Sequence, residues 1–160
     1  MLVYNSSTST FSTFNSFPGE PCPDGWTRFD SYCYLVSSSI KSWIDAQKYC
    51  QSLGGGLVKI NSAEENEFVL NLVNKEAPSL KQVWIGLHWY TQAFYWHDYS
   101  VPVYTNWAPG EPNGKAGEPC GHMYTAQGKD LPHRASGYWN DIQCSIRWDW
   151  PNGIVCERLP

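Results

Sequence analysis

A chain of 160 residues suits one domain with an adequate core, and its net charge of −4 argues against a nucleic-acid partner. Nine Trp and ten Tyr must furnish much of that core, with some rings left as polar-tipped contact surface. No apolar run approaches the roughly 18 residues that a membrane-spanning helix requires, so no membrane span is expected.

Residues 1–20 read as a flexible arm and residues 21–160 as one folded domain. The arm is rich in Ser, Thr and Asn and buries too little apolar surface to order itself. Phe11, Phe14 and Phe17 recur at every third position and mark a segment that packs on a neighbour, and Asn5-Ser6-Ser7 is a glycosylation sequon in a eukaryotic chain. The first residues lack a signal-peptide pattern, and Met1 reads as an addition ahead of a mature secreted chain.

Cys22-Pro23-Asp24-Gly25-Trp26 places a turn ahead of two short aromatic strands, Thr27 to Phe29 and Tyr32 to Leu35. A helix follows from its N-cap Ser42 to Leu53, with Ala46, Cys50 and Leu53 facing inward, and Gly54-Gly55-Gly56 ends it. Leu57 to Ile60 reads as a strand. Ser62 with Glu65 then forms a capping box for a second helix to about Lys75, whose inward face is Phe68, Val69, Leu72 and Val73. Val83 to Leu87 is a buried strand and Phe94 to His97 another. The next forty or so residues read as loop, long enough to point to function. Ile154 to Glu157 returns as the last strand, giving an α+β architecture of two helices with antiparallel sheets and a long loop region.

Within that loop region, Glu111-Pro112-Asn113, Glu118 and Trp139-Asn140-Asp141 collect three carboxylates and two carboxamides. The inventory is all oxygen, which suits Ca²⁺ with its six to eight oxygen ligands and does not suit Zn²⁺. An ionised Glu only accepts hydrogen bonds, whereas an Asn turns its oxygen to a metal and offers NH₂ donors, so the two side by side match one vicinal diol.

These motifs, together with Trp84-Ile85-Gly86-Leu87 and six cysteines in order, resemble the C-type lectin family from about Cys22 to Glu157. The resemblance implies that Glu111, Asn113, Glu118, Asn140 and Asp141 bind the principal Ca²⁺, and that a glycan completes the shell with two neighbouring hydroxyls. It also implies a cis Glu111–Pro112 bond, a buried Trp107, and sugar contacts from Glu111, Asn113, Glu118 and Asn140. Gly114 and Pro119 stand where many members carry acids for a second ion, which leaves an auxiliary site without its ligands. The Glu-then-Asn order resembles the mannose-type arrangement, and an aromatic stacking on galactose is the exception to that rule.

Six cysteines allow 15 pairings by arithmetic, and their even number without a C-x-x-C motif favours an oxidising, extracellular compartment. The family pattern implies Cys22 with Cys33, Cys50 with Cys156, and Cys120 with Cys144. The second closes a loop of about 100 residues, worth up to roughly 4.7 kcal/mol by chain entropy. His122 to Tyr138 is an insertion-like segment that holds Lys129, Asp130, His133 and Arg134, with Tyr138 a candidate stacking ring against the sugar.

Enzymatic readings find little support. His88, His97, His122 and His133 lack H-x-x-x-H spacing, carboxylates that share a cation cannot serve as a general acid, and neither G-x-S-x-G nor a free thiol is expected. One diol on one ion gives affinity near 1 mM, about 4 kcal/mol, so useful binding calls for a homo-oligomer, in the first instance a dimer. The rival reading is a calcium-stabilised module of the same fold that binds protein, ice or mineral.

Overall fold

The computed structural model describes residues 19–39, 41–126, 136–145 and 152–160. Phe11, Phe14, Phe17 and the sequon of the arm lie outside the described residues, as do Lys129, Asp130, His133 and Arg134.

Strands β1 (Thr27–Phe29) and β2 (Tyr32–Ser37) pair antiparallel around a tight turn. Helix α1 (Trp43–Ser52) starts where Ser42 Oγ accepts the Asp45 N–H at 3.2 Å. Helix α2 (Ala63–Glu76) starts with Ser62 Oγ accepting the Glu65 N–H at 3.0 Å. The reciprocal half of the expected capping box takes another form, because Glu65 Oε2 accepts from the Asn61 N–H at 2.7 Å and Oε1 from the Tyr34 hydroxyl at 2.6 Å. Tyr34 is buried, so its hydroxyl needs an acceptor, and Glu65 supplies it.

The remaining strands are β3 (Gly56–Leu57), β4 (Gln82–Tyr90), β5 (Ala93–Trp96), β6 (Cys120–Tyr124), β7 (Trp139–Ile142) and β8 (Asn152–Arg158). They form one sheet in the order β1-β2-β8-β4-β6-β7, with β3 on β8 and β5 on β4. All pairings are antiparallel except β4 with β8, where Val83 opposes Gly153 in parallel register. Strand β4 is buried on both faces, which explains its near-continuous apolar run. Val83, Ile85 and Leu87 join Val69, Leu72 and Val73 of α2 in one cluster, whereas Trp84 joins Trp43, Ala46 and Cys50 of α1 in another. Alternate side chains of one strand therefore tie each helix to its own face. Gly86 is required here: a Cβ would lie 3.0 Å from Leu57 O and 2.9 Å from the His97 ring.

The three disulfides join Cys22–Cys33, Cys50–Cys156 and Cys120–Cys144, as the family pattern implies. Among the described residues no helix is long and apolar enough to cross a membrane.

Three expectations need correction. The strand read as Leu57 to Ile60 is only Gly56–Leu57, after which Val58 still donates to Val155 O at 2.9 Å. The forty-residue loop contains β6, β7 and a short 3₁₀ turn at Lys115–Gly117. His122 consequently lies inside a buried strand and does not begin an insertion.

Candidate functional site

Strand β7 carries half of the site and is held from below by Trp139. That indole is fully buried and donates to Asn66 Oδ1 of α2 at 2.8 Å, while Asn66 Nδ2 donates to Gly137 O at 3.1 Å. Trp107 packs edge-on to the Trp139 ring at 6.0 Å, and the Ala108 N–H donates to Trp139 O at 2.8 Å. Trp107 is partly buried and serves as a loop anchor. Asn140 and Asp141 then leave β7 on opposite faces, as successive strand residues do.

The carboxylate of Asp141 is fully buried and accepts three main-chain N–H groups. Asn113 donates to Oδ1 at 3.1 Å; Gly114 and Lys115 donate to Oδ2 at 2.9 and 2.7 Å. Three successive amides make an anion-binding nest, and Asp141 is its anion. The segment Glu111–Lys115 is thereby fastened to β7 across more than twenty residues of chain. The Glu111–Pro112 bond is cis.

Within that segment Asn113 Nδ2 donates to Glu111 Oε1 at 3.1 Å, so the acceptor and the donor of the motif stand side by side. The second oxygen of Glu111 is buried without a hydrogen-bond partner. Burial raises the Glu111 pKa, and the neighbouring Asp141 and Glu118 add to that rise. Glu118 lies against Gly114, where a Cβ would collide with its carboxylate, so the glycine found in place of an acid makes room for Glu118.

Asn140 is half-buried, and its Nδ2 lies 3.1 Å from Nε2 of His122, its cross-strand partner on β6. Which of the two donates depends on the His122 tautomer, and in either case the contact orients the Asn140 carboxamide. The His122 ring is fully buried and sits edge-on to Trp84 and Tyr124 at 6.5 and 4.8 Å. Sequence reasoning missed this role; a histidine two residues after a half-cystine carries no signal of it until β6 and β7 are paired. Tyr138 is half-buried, and its carbonyl accepts the Tyr124 N–H at 2.9 Å.

A cation fits what is present. One carboxylate oxygen is buried and unpartnered, Glu111 is crowded by acids, and the surrounding donors are oxygen. Among the described residues no three Asp, Glu, His or Cys side chains converge as a metal group, so an ion here would rely on carboxamide and main-chain oxygens as well.

Two helices on a disulfide-stapled sheet, with acids and amides gathered where the Glu111–Lys115 segment meets strand β7, define an α+β module that presents a polar loop. The chain belongs to the C-type lectin family: the Lectin C-type domain model matches residues 39–158. It is 36% identical over 127 residues to a perlucin-like protein of Mytilus galloprovincialis, covering 78% of this chain and 76% of that one. A crystal structure of the cow C-type carbohydrate-recognition domain of CD23, in the presence of a GlcNAc2Man3 oligosaccharide, superposes with a TM-score of 0.71. The two are 36% identical, over 88% of this chain and 97% of that chain. A calcium-independent type II antifreeze protein matches 87% of this chain and 95% of its own at 25% identity, with a TM-score of 0.70. Members of the family are in general binding proteins without catalytic activity.

Proposed function

We propose that this domain is a secreted lectin that binds carbohydrate through Ca²⁺, with Glu111, Asn113, Glu118, Asn140 and Asp141 holding the ion. The observation that carries this reading is the Glu111–Asn113 pair. One residue offers lone pairs and the other N–H donors 3.1 Å apart, beside a buried carboxylate oxygen with no partner. Bound there, Ca²⁺ would supply the electrostatic attraction for two vicinal hydroxyls of a glycan. Glu111 and Glu118 would accept the hydroxyl protons, and the amides of Asn113 and Asn140 would donate to the hydroxyl oxygens. Tyr138 would flank the sugar. The Glu-then-Asn order favours mannose-type sugars over galactose, and the weak affinity of one diol favours presentation as a dimer, with residues 1–20 as the arm outside the 21–160 domain.

The test is retention on mannose and galactose resins in Ca²⁺ followed by elution with EDTA. Retention on mannose that EDTA releases supports the reading, and failure to bind either resin, or indifference to EDTA, overturns it.

A second reading is a module of this fold that binds protein, ice or mineral. It is favoured by one observation: Asp141 is fully served by main-chain amides, so the loop holds its shape through protein contacts. Adsorption to such a surface in EDTA would favour it.

A further inference from the structure

A groove of about 450 Å³ is lined by α1, by His88 and Trp89 of β4, and by His97 and Tyr99 just beyond β5. Pro119 and the Cys120–Cys144 disulfide also line it. Aromatic rings run across it in edge-to-face contact: Trp43, the first residue of α1, with His88 at 5.4 Å, and His88 with Tyr99 at 5.5 Å. The run is anchored at its inner end, where the Trp43 indole donates to Ile85 O at 2.9 Å. At its outer end Tyr99 is 61% exposed and holds a φ of 65°, a conformation that is costly for a bulky residue and persists only where the surroundings impose it.

Farther along α1, Ile44, Lys48 and Gln51 fall on one stripe at helical spacing. Lys48 is the one formally charged side chain, apart from histidine, among the described residues that line the groove. Among the described residues no carboxylate lines it and Lys48 makes no ion pair. Flat rings to stack on, an amide to hydrogen-bond and a lone cation with no competing acid describe a hydroxylated ring that bears a negative charge. We infer that this groove is a second, cation-independent carbohydrate site for an anionic sugar, one that carries a carboxylate or a sulfate ester. The aromatic run takes the C–H face of the ring, Gln51 its hydroxyls, and Lys48 the anionic group.

The test is a titration of the whole chain in EDTA, followed through its tryptophan indole N–H resonances. The probes are glucuronic acid and galactose 6-sulfate, with uncharged glucose and galactose as comparisons. The indoles of Trp43 and Trp89 are expected to shift with an anionic sugar at least about tenfold more tightly than with its neutral counterpart. Response to one anionic probe alone names the carboxylate or the sulfate as the recognised group. Lys48→Gln is expected to weaken the response about tenfold, Tyr99→Ala to weaken it as well, and the distant Lys75→Gln and Glu111→Gln to leave it unchanged. Silence with both anionic sugars, equal response to neutral ones, or loss with Glu111→Gln overturns the inference. Because EDTA disables any calcium-dependent binding, this result is independent of whether the Glu111 loop binds sugar.

Discussion

Asp141 Oδ2 accepts the Lys115 N–H at 2.7 Å, so the loop that carries Glu111 and Asn113 is tied to strand β7 by the protein itself. A carboxylate satisfies three amide donors where a carboxamide, with one acceptor oxygen, cannot. Asp141→Asn is therefore expected to lower stability by about 2–3 kcal/mol, because it leaves buried N–H groups facing an NH₂. Urea unfolding in EDTA checks this; an unchanged midpoint would show that the nest is dispensable.

Glu111→Gln separates assembly from binding in the opposite direction. It removes one of the crowded acids while keeping an oxygen for the Asn113 amide. In EDTA at pH 7 its melting temperature is expected to match or slightly exceed that of the parent chain, while calorimetry shows Ca²⁺ affinity reduced at least about tenfold. A large loss of melting temperature would make Glu111 a structural residue.

Burial and the nearby acids Asp141 and Glu118 raise the proton affinity of Glu111, so protons compete with calcium there sooner than at an exposed carboxylate. A folded-state pKa above the unfolded one contributes stability below the unfolded value, and that contribution fades as pH rises through the folded value. In EDTA the site is thus least comfortable near neutrality, where a cation would relieve it most. The rise in melting temperature on adding Ca²⁺ is expected to be larger at pH 7 than at pH 5. An equal rise at both would remove Glu111 from the coupling.

Glu157 on β8 tests the same sign in the core. Burial pushes it up to about 8, the main-chain N–H of Lys59 pulls the other way, and Glu65 adds to the rise. Stability in EDTA is expected to fall between about pH 4.5 and pH 8 as the carboxyl ionises while buried. Glu157→Gln, which keeps an acceptor for Lys59, is expected to flatten that slope and to gain about 1–3 kcal/mol at pH 8. Differential scanning calorimetry across the range decides it.

His122→Phe keeps a ring between Trp84 and Tyr124 but removes the partner of Asn140. Calcium-dependent sugar affinity is expected to fall several-fold, with the thermal midpoint moving by only a few degrees. Asn140→Asp in the same background should lower it further, since a carboxylate has no N–H to donate to the sugar hydroxyl. Full affinity in His122→Phe would mean that Asn140 is held by something else.

The two helices and β1, β2, β4 and β5 were legible because each rests on local chemistry: an N-cap serine, a glycine run, an apolar period, an aromatic strand. Strands β6 and β7 were not. Cys120-Gly121-His122-Met123-Tyr124 and Trp139-Asn140-Asp141-Ile142 contain glycine, asparagine and aspartate, residues that strands disfavour unless the neighbouring strand and core impose them.

The chain's own order of residues was enough to name the oxygen-rich set at Glu111, Asn113, Glu118, Asn140 and Asp141, since side-chain chemistry is independent of conformation. Which of these meet is a matter of pairing. Only the folded sheet sets Asn140 opposite His122, turns Asp141 toward the amides of residues 113–115, and leaves one oxygen of Glu111 buried and unmatched. The groove beside α1 is likewise assembled from segments up to a hundred residues apart. Proximity of that kind is decided by long-range burial, which no local pattern encodes.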